Sequence, residues 1–170
     1  ANSVLTVQED FGGSGNAPSG QVPSWATPAQ RAGVLVSDIV GGQIVDTTSS
    51  AQGIAIIGKT GSGTWQYSLD GGSNWSNIPT VSNSSTLLLA ADANTRVRFV
   101  PDADWNSNIG STGLTFRAWD QTTGAAGQLG DATYNGGASS FSAATATTVA
   151  TVTPRNDAPV AFSPVGGTVD

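Results

Sequence analysis

Apolar residues in this chain arrive in short alternating runs, each the length of a strand and each closed by a turn signal. Trp65, Tyr67 and Leu69 alternate with Thr64, Gln66 and Ser68. Val97 and Phe99 alternate with Arg96 and Arg98, and Leu114, Phe116 and Ala118 alternate with Thr115 and Arg117. A period of two sends successive side chains to opposite faces of a strand, so each run has one face to bury. Further strands read over 3–8, over the glycine-bounded Ile54-Ala55-Ile56-Ile57, over 86–90 and over 145–153, and Gly33–Val40 adds another apolar stretch with Val34, Leu35 and Val36. Between Thr64 and Ile78, Asp70-Gly71-Gly72 reverses the chain into a hairpin. Strands recur about every 8–15 residues with turns between them, and no stretch reads as a helix. The pattern predicts an all-β fold, an antiparallel β-sandwich.

Residue usage agrees. Glu9 is the only glutamate and Lys59 the only lysine, methionine is absent, and glycine occurs 22 times. Glu, Lys and Met, all good helix formers, are nearly or wholly missing, and residues that compete with helical hydrogen bonding abound. The absence of cysteine and histidine excludes a disulfide scaffold, a thiolate or imidazole metal site and a Ser-His-Asp triad. It also implies little charge change between about pH 6 and 8. With 12 acids against 6 bases and a net charge of -6, the chain lacks the electropositive footprint of a nucleic-acid binder. No apolar run approaches the roughly 20 residues of a membrane helix, and no signal peptide is read at Ala1. Starting without Met, the chain reads as a piece of a longer polypeptide or as one processed at its N-terminus.

Its 170 residues suit one domain. Residues 1–153 are expected to form the sandwich, with a Gly-, Ser- and Pro-rich loop insertion over 11–33. Pro154-Arg155-Asn156-Asp157-Ala158-Pro159 reads as a stiff linker, so 154–170 are expected to be linker and the start of a following repeat.

Three segments resemble a cadherin-like repeat of the giant calcium-dependent bacterial surface adhesins of the RTX type. Thr153-Pro154-Arg155-Asn156-Asp157-Ala158-Pro159-Val160 resembles the Asn-Asp-x-Pro linker that ends such repeats. Phe99-Val100-Pro101-Asp102-Ala103-Asp104-Trp105-Asn106, followed by Leu114–Asp120 and Gly124, resembles their penultimate region. Gly63–Ser68 with Asp70-Gly71-Gly72 and Trp75 is similar to a hairpin common in them. Together these cover most of 54–160. The resemblance implies a cadherin/immunoglobulin-like sandwich, secreted to the bacterial cell surface. It implies a non-enzymatic module in cell adhesion and biofilm attachment, with calcium as its cofactor and neighbouring repeats of the same chain as its partners. Carried over residue by residue, the calcium ligands are Glu9, Asp120, Asn156 and Asp157, with Asp10, Asp38 and Asp46 as additions. Thr47-Thr48 stand where an Asp-x-Asp-x-Gly segment is usual. Glu9 and Asp120 need not serve one site, because a sandwich of odd strand count sends entry and exit to opposite ends.

Other motifs are weighed against their plain structural use. Residues 102–110 alternate oxygen-bearing side chains, but the sixth and twelfth positions of a calcium loop starting at Asp102, where Gly and a bidentate acid belong, are Ser107 and Gly113. Asx turns are the expectation there. Ser68-x-Asp70-x-Gly72-x-x-Trp75 matches the Asp-box spacing of sialidase propellers, a hairpin fastener. It occurs once, whereas a propeller needs one per blade. Trp119 has the parity of Thr115 and Arg117, the outer face; it lies under a loop, rests against Arg117 or touches a ligand. With Trp105 it is the candidate for an alternative function, a saccharide- or peptide-binding module of the adhesin tip that contacts a cell-surface glycan or peptide. A two-carboxylate glycosidase is a third reading. Asn74-Trp75-Ser76 and Asn83-Ser84-Ser85 fit the N-glycosylation acceptor pattern.

Overall fold

The computed structural model describes residues 3–8, 26–41, 51–103, 105–108 and 111–154. In chain order these form Ser3–Gln8 (β1), Pro28–Ala32 (α1), Val34–Leu35 (β2), Val36–Val40 (α2), Gly53–Thr60 (β3), Gly63–Ser68 (β4), Ser76–Asn77 (β5), Thr86–Ala90 (β6), Arg96–Pro101 (β7), Thr112–Trp119 (β8), Leu129–Gly130 (β9) and Ala146–Thr153 (β10). One sheet has the order β1-β10-β8-β3-β6-β9 and the other β2-β7-β4-β5. The fold is all-β with two sheets. The expected antiparallel pairing is corrected at one edge, where β1 runs parallel to β10 with Gln8 opposite Thr153. A parallel pair needs a long crossover, and here the chain between the two strands supplies it.

Alternation along the strands builds the main core. Ile54 and Ile56 of β3, Leu87 and Leu89 of β6 and Leu114 and Phe116 of β8 meet Trp65 of β4 and Val97 and Phe99 of β7. Trp65 and Phe99 pack with ring centroids 5.0 Å apart. Burying each such side chain contributes about 1.5–3 kcal/mol.

Part of the opposite face of the larger sheet is covered too. Ala55, Leu88 and Trp119, the out-facing residues of β3, β6 and β8, pack with Ala132 and Phe141 into a second, smaller core. Trp119 bridges to Phe141, and its Nε1 donates to the Thr123 carbonyl at 2.8 Å. The irregular segment between β8 and β10 is therefore a lid over that sheet.

Two helical turns appear where none is expected. Thr27 caps α1: its Oγ accepts from the Gln30 amide at 3.2 Å, and its own amide donates to Gln30 Oε1 at 2.9 Å, with Pro28 in the first turn. This reciprocal clasp, with a proline whose φ already suits a helix, starts a turn inside the expected 11–33 loop. In 33–40 only Val34–Leu35 is extended. Val36, Ile39 and Val40 are buried, and their i, i+3, i+4 spacing brings all three to the core only as a helical turn.

Candidate functional site

The best-organised polar constellation is the turn between β4 and β5. Asp70 Oδ1 accepts from the Ser68 hydroxyl at 2.7 Å and the Asn74 amide at 2.9 Å, and Oδ2 accepts from Asn74 Nδ2 at 2.6 Å. Ser68 Oγ in turn accepts the Gly72 amide at 2.9 Å. The Asn74 amide, then its carboxamide and the Ser68 hydroxyl, hold the Asp70 carboxyl down at about 2. Trp75 closes the turn, its Nε1 donating to the Gly72 carbonyl at 2.9 Å. The Asp-box spacing thus makes a hairpin fastener.

This hairpin is riveted to α1 by two arginines of β7. Arg98, 7% exposed, lies 4.0 Å from the Trp75 ring centroid and donates to Gln66 Oε1 at 2.8 Å and to the Arg31 carbonyl at 3.2 Å. Arg96 reaches the Ala32 and Gly33 carbonyls at 3.4 and 3.5 Å. The last carbonyls of a helix lack intrahelical donors, and the two guanidinium groups supply them. Burial pushes Arg98 down to about 10, which leaves it charged at neutral pH. Gly33, at φ +63°, admits this approach, because a Cβ there would come within 2.5 Å of the Val97 carbonyl oxygen and 2.8 Å of Trp75.

The other described aspartates also mostly clasp their own turns. Asp92 accepts the Asn94 and Thr95 amides at 2.8 and 2.6 Å. Burial raises its pKa, and those amides outweigh burial and lower it. Asp131 accepts from the Thr133 hydroxyl and amide, which lower its pKa in that order. Asp102 accepts from Ser62 Oγ at 2.7 Å, and Asn106 forms an Asx turn with the Asn108 amide at 3.0 Å. Asp38 is exposed on α2.

Of the expected calcium ligands, Glu9, Asp10, Asp46, Asn156 and Asp157 lie outside the described residues. Asp120, which follows β8, is described. Its Oδ1 accepts the Thr122 amide at 2.9 Å and hydroxyl at 2.7 Å, and the Thr122 hydroxyl is 2.8 Å from Ser140 Oγ. Strand register fixes where this oxygen-rich corner stands. Phe116 lies opposite Ala146 and Thr112 opposite Ala150, so Asp120 is at the end where β10 begins. Gln8 and Thr153 pair at the other end, on the order of 30 Å away at ~3.3 Å per residue. Among the described residues no three His, Cys, Asp or Glu side chains gather as a metal-holding group.

Of the two tryptophans expected to touch a ligand, Trp119 is covered and Trp105 is half-buried. Trp119 is 2% exposed, so its out-facing parity holds but the lid occupies that face. The ligand-contact expectation is corrected to the loop-covered one. Trp105 is half-buried, packed edge-on to Phe99 at 5.8 Å. The Arg98–Trp75 stack escaped the sequence reading. Its signal was the match of Arg96 and Arg98 on one face of β7 with the Asp-box Trp. Among the described residues no helix is long and apolar enough to cross a membrane. No family model, curated protein or solved structure matches the chain.

Proposed function

We propose that this chain is a calcium-stabilised, non-enzymatic repeat of a bacterial cell-surface adhesin, a cadherin/immunoglobulin-like brick that sets neighbouring repeats in line. The observation that carries this reading is the parallel pairing of β1 with β10. First and last strands that run the same way bring the chain in at one end of the sandwich and send it out at the other, so copies in series stack head to tail. The strand order supports the fold type. Part of it follows an immunoglobulin-like order, β2-β7-β4 as its second, fifth and fourth strands and β10-β8-β3 as its seventh, sixth and third with β1 beside β10, while β6 and β9 extend the larger sheet beyond β3.

Head-to-tail stacking would put Asp120 at the joint between repeats. The linker that follows Thr153 of one repeat arrives at the Asp120 end of the next. There the Asp120 carboxylate, the Thr122 and Ser140 hydroxyls and the Ser140 carbonyl form part of an oxygen shell. Calcium takes six to eight oxygens at roughly 2.3–2.6 Å, and Asn156-Asp157 of the preceding repeat would contribute the remainder. Bound there, the ion turns a pivoting joint into a stiff one.

Small-angle scattering of two copies joined through the 154–160 segment tests the reading. Calcium should lengthen and narrow the particle, and Asp120→Ala should abolish the change. Identical scattering with calcium and with chelator would overturn it.

A further inference from the structure

Two Asn-x-Ser patterns sit in turns, and their surroundings differ. Asn83-Ser84-Ser85 forms the corner of a tight turn in which the Ser82 amide donates to the Ser85 carbonyl at 3.0 Å and the Ser85 amide to the Ser82 carbonyl at 3.3 Å. Asn83 and Ser84 are exposed. The Asn83 carbonyl oxygen Oδ1 accepts from Arg117 Nε at 3.1 Å, and its backbone carbonyl accepts the Ala132 amide at 2.7 Å. With Oδ1 held toward Arg117, Nδ2 faces the other way, and among the described residues neither Nδ2 of Asn83 nor the Ser85 hydroxyl makes a hydrogen bond. Asn74 is the reverse case. Its Nδ2 is spent on Asp70 Oδ2 at 2.6 Å, and the next residue, Trp75, is pinned beneath Arg98.

We propose that Asn83 is an acceptor for asparagine-linked glycosylation on the folded protein and that Asn74 is not. The reaction needs the amide nitrogen and the hydroxyl two residues on to be presented together, and only the Asn83 turn leaves both free. A nucleotide-activated hexose is the donor class. Nδ2 attacks its anomeric carbon and forms the C–N bond, the anomeric C–O bond to the diphosphate breaks, the nucleoside diphosphate leaves with the electron pair, and the Nδ2 proton passes to a base of the transferase. Arg117 stands opposite Ala55, midway along the larger sheet, so the sugar would stand on a side wall, clear of both ends. The proposal is independent of calcium.

The folded chain incubated with a soluble asparagine N-glucosyltransferase and UDP-glucose, then peptide-mapped by mass spectrometry, tests it. One hexose on Asn83 is expected, lost in Asn83→Gln and retained in Asn74→Gln. Ser85→Ala leaves the Arg117 contact in place and should abolish the modification as well. A hexose on Asn74, or none on the folded chain while a free Asn-x-Ser control peptide is modified, would overturn the proposal.

Discussion

The Arg98 guanidinium lies 4.0 Å from the centre of the Trp75 ring and, with Arg96, donates to the closing carbonyls of α1. One strand face thereby ties together the turn after β4, β7 itself and the helix that precedes β2. Truncating Arg98 to Ala would leave Gln66 Oε1 without that donor and the Arg31 carbonyl without a guanidinium partner, and would strip the π-face of Trp75. The expected cost is about 2–3 kcal/mol, read as a lowered urea midpoint. Arg98→Lys keeps the charge but not the planar fork and should recover only part of the loss.

Acid should weaken the fold through its turn clasps. The folded-state pKa of Asp70 lies at about 2 against an ordinary 3.8, and those of Asp92 and Asp131 are lowered as well. A depressed folded-state pKa contributes stability that is present above the unfolded value and lost as pH falls through the folded one. The melting temperature should therefore hold steady at neutral pH and drop as pH falls from about 4 toward 2. Asp70→Asn should flatten that acid limb, which thermal melts across the pH series would reveal.

Trp119 roofs the outer face of the larger sheet with Leu88 and Phe141, so Trp119→Ala should cost about 3–5 kcal/mol. Its burial also predicts that glycans added to the intact protein leave Trp119 emission unchanged. Denaturant titration and fluorescence of a variant retaining only this tryptophan check the two statements.

Much of this architecture could be read from residue order alone, because period two is a local property. Val97 and Phe99 against Arg96 and Arg98, and the Asp-box turn, needed no knowledge of distant chain. The lid could not be read that way. Trp119 has outward parity, and only the arrival of Ala132 and Phe141 from a Gly- and Ser-rich loop turns that face into an interior. The parallel edge pair is equally non-local, joining Gln8 to Thr153. The helical turns were within reach: Thr27-Pro28-Ala29-Gln30 is a capping-box pattern, and Val36, Ile39 and Val40 carry helical spacing. At the candidate calcium joint the motif residues were visible, yet Asp120 proves to stand at the far end of the sheet from Gln8 and Thr153, a separation set by strand register.

Calcium between consecutive repeats is tested most directly by thermal melting of two copies of residues 1–160 in series, in calcium and in chelator. An ion bound only to the folded state stabilises it, and at free calcium ~100 times Kd the melting temperature should rise by about 5–10 °C, with the rise lost in Asp120→Ala. Superimposable melts in calcium and chelator would contradict a calcium-locked joint.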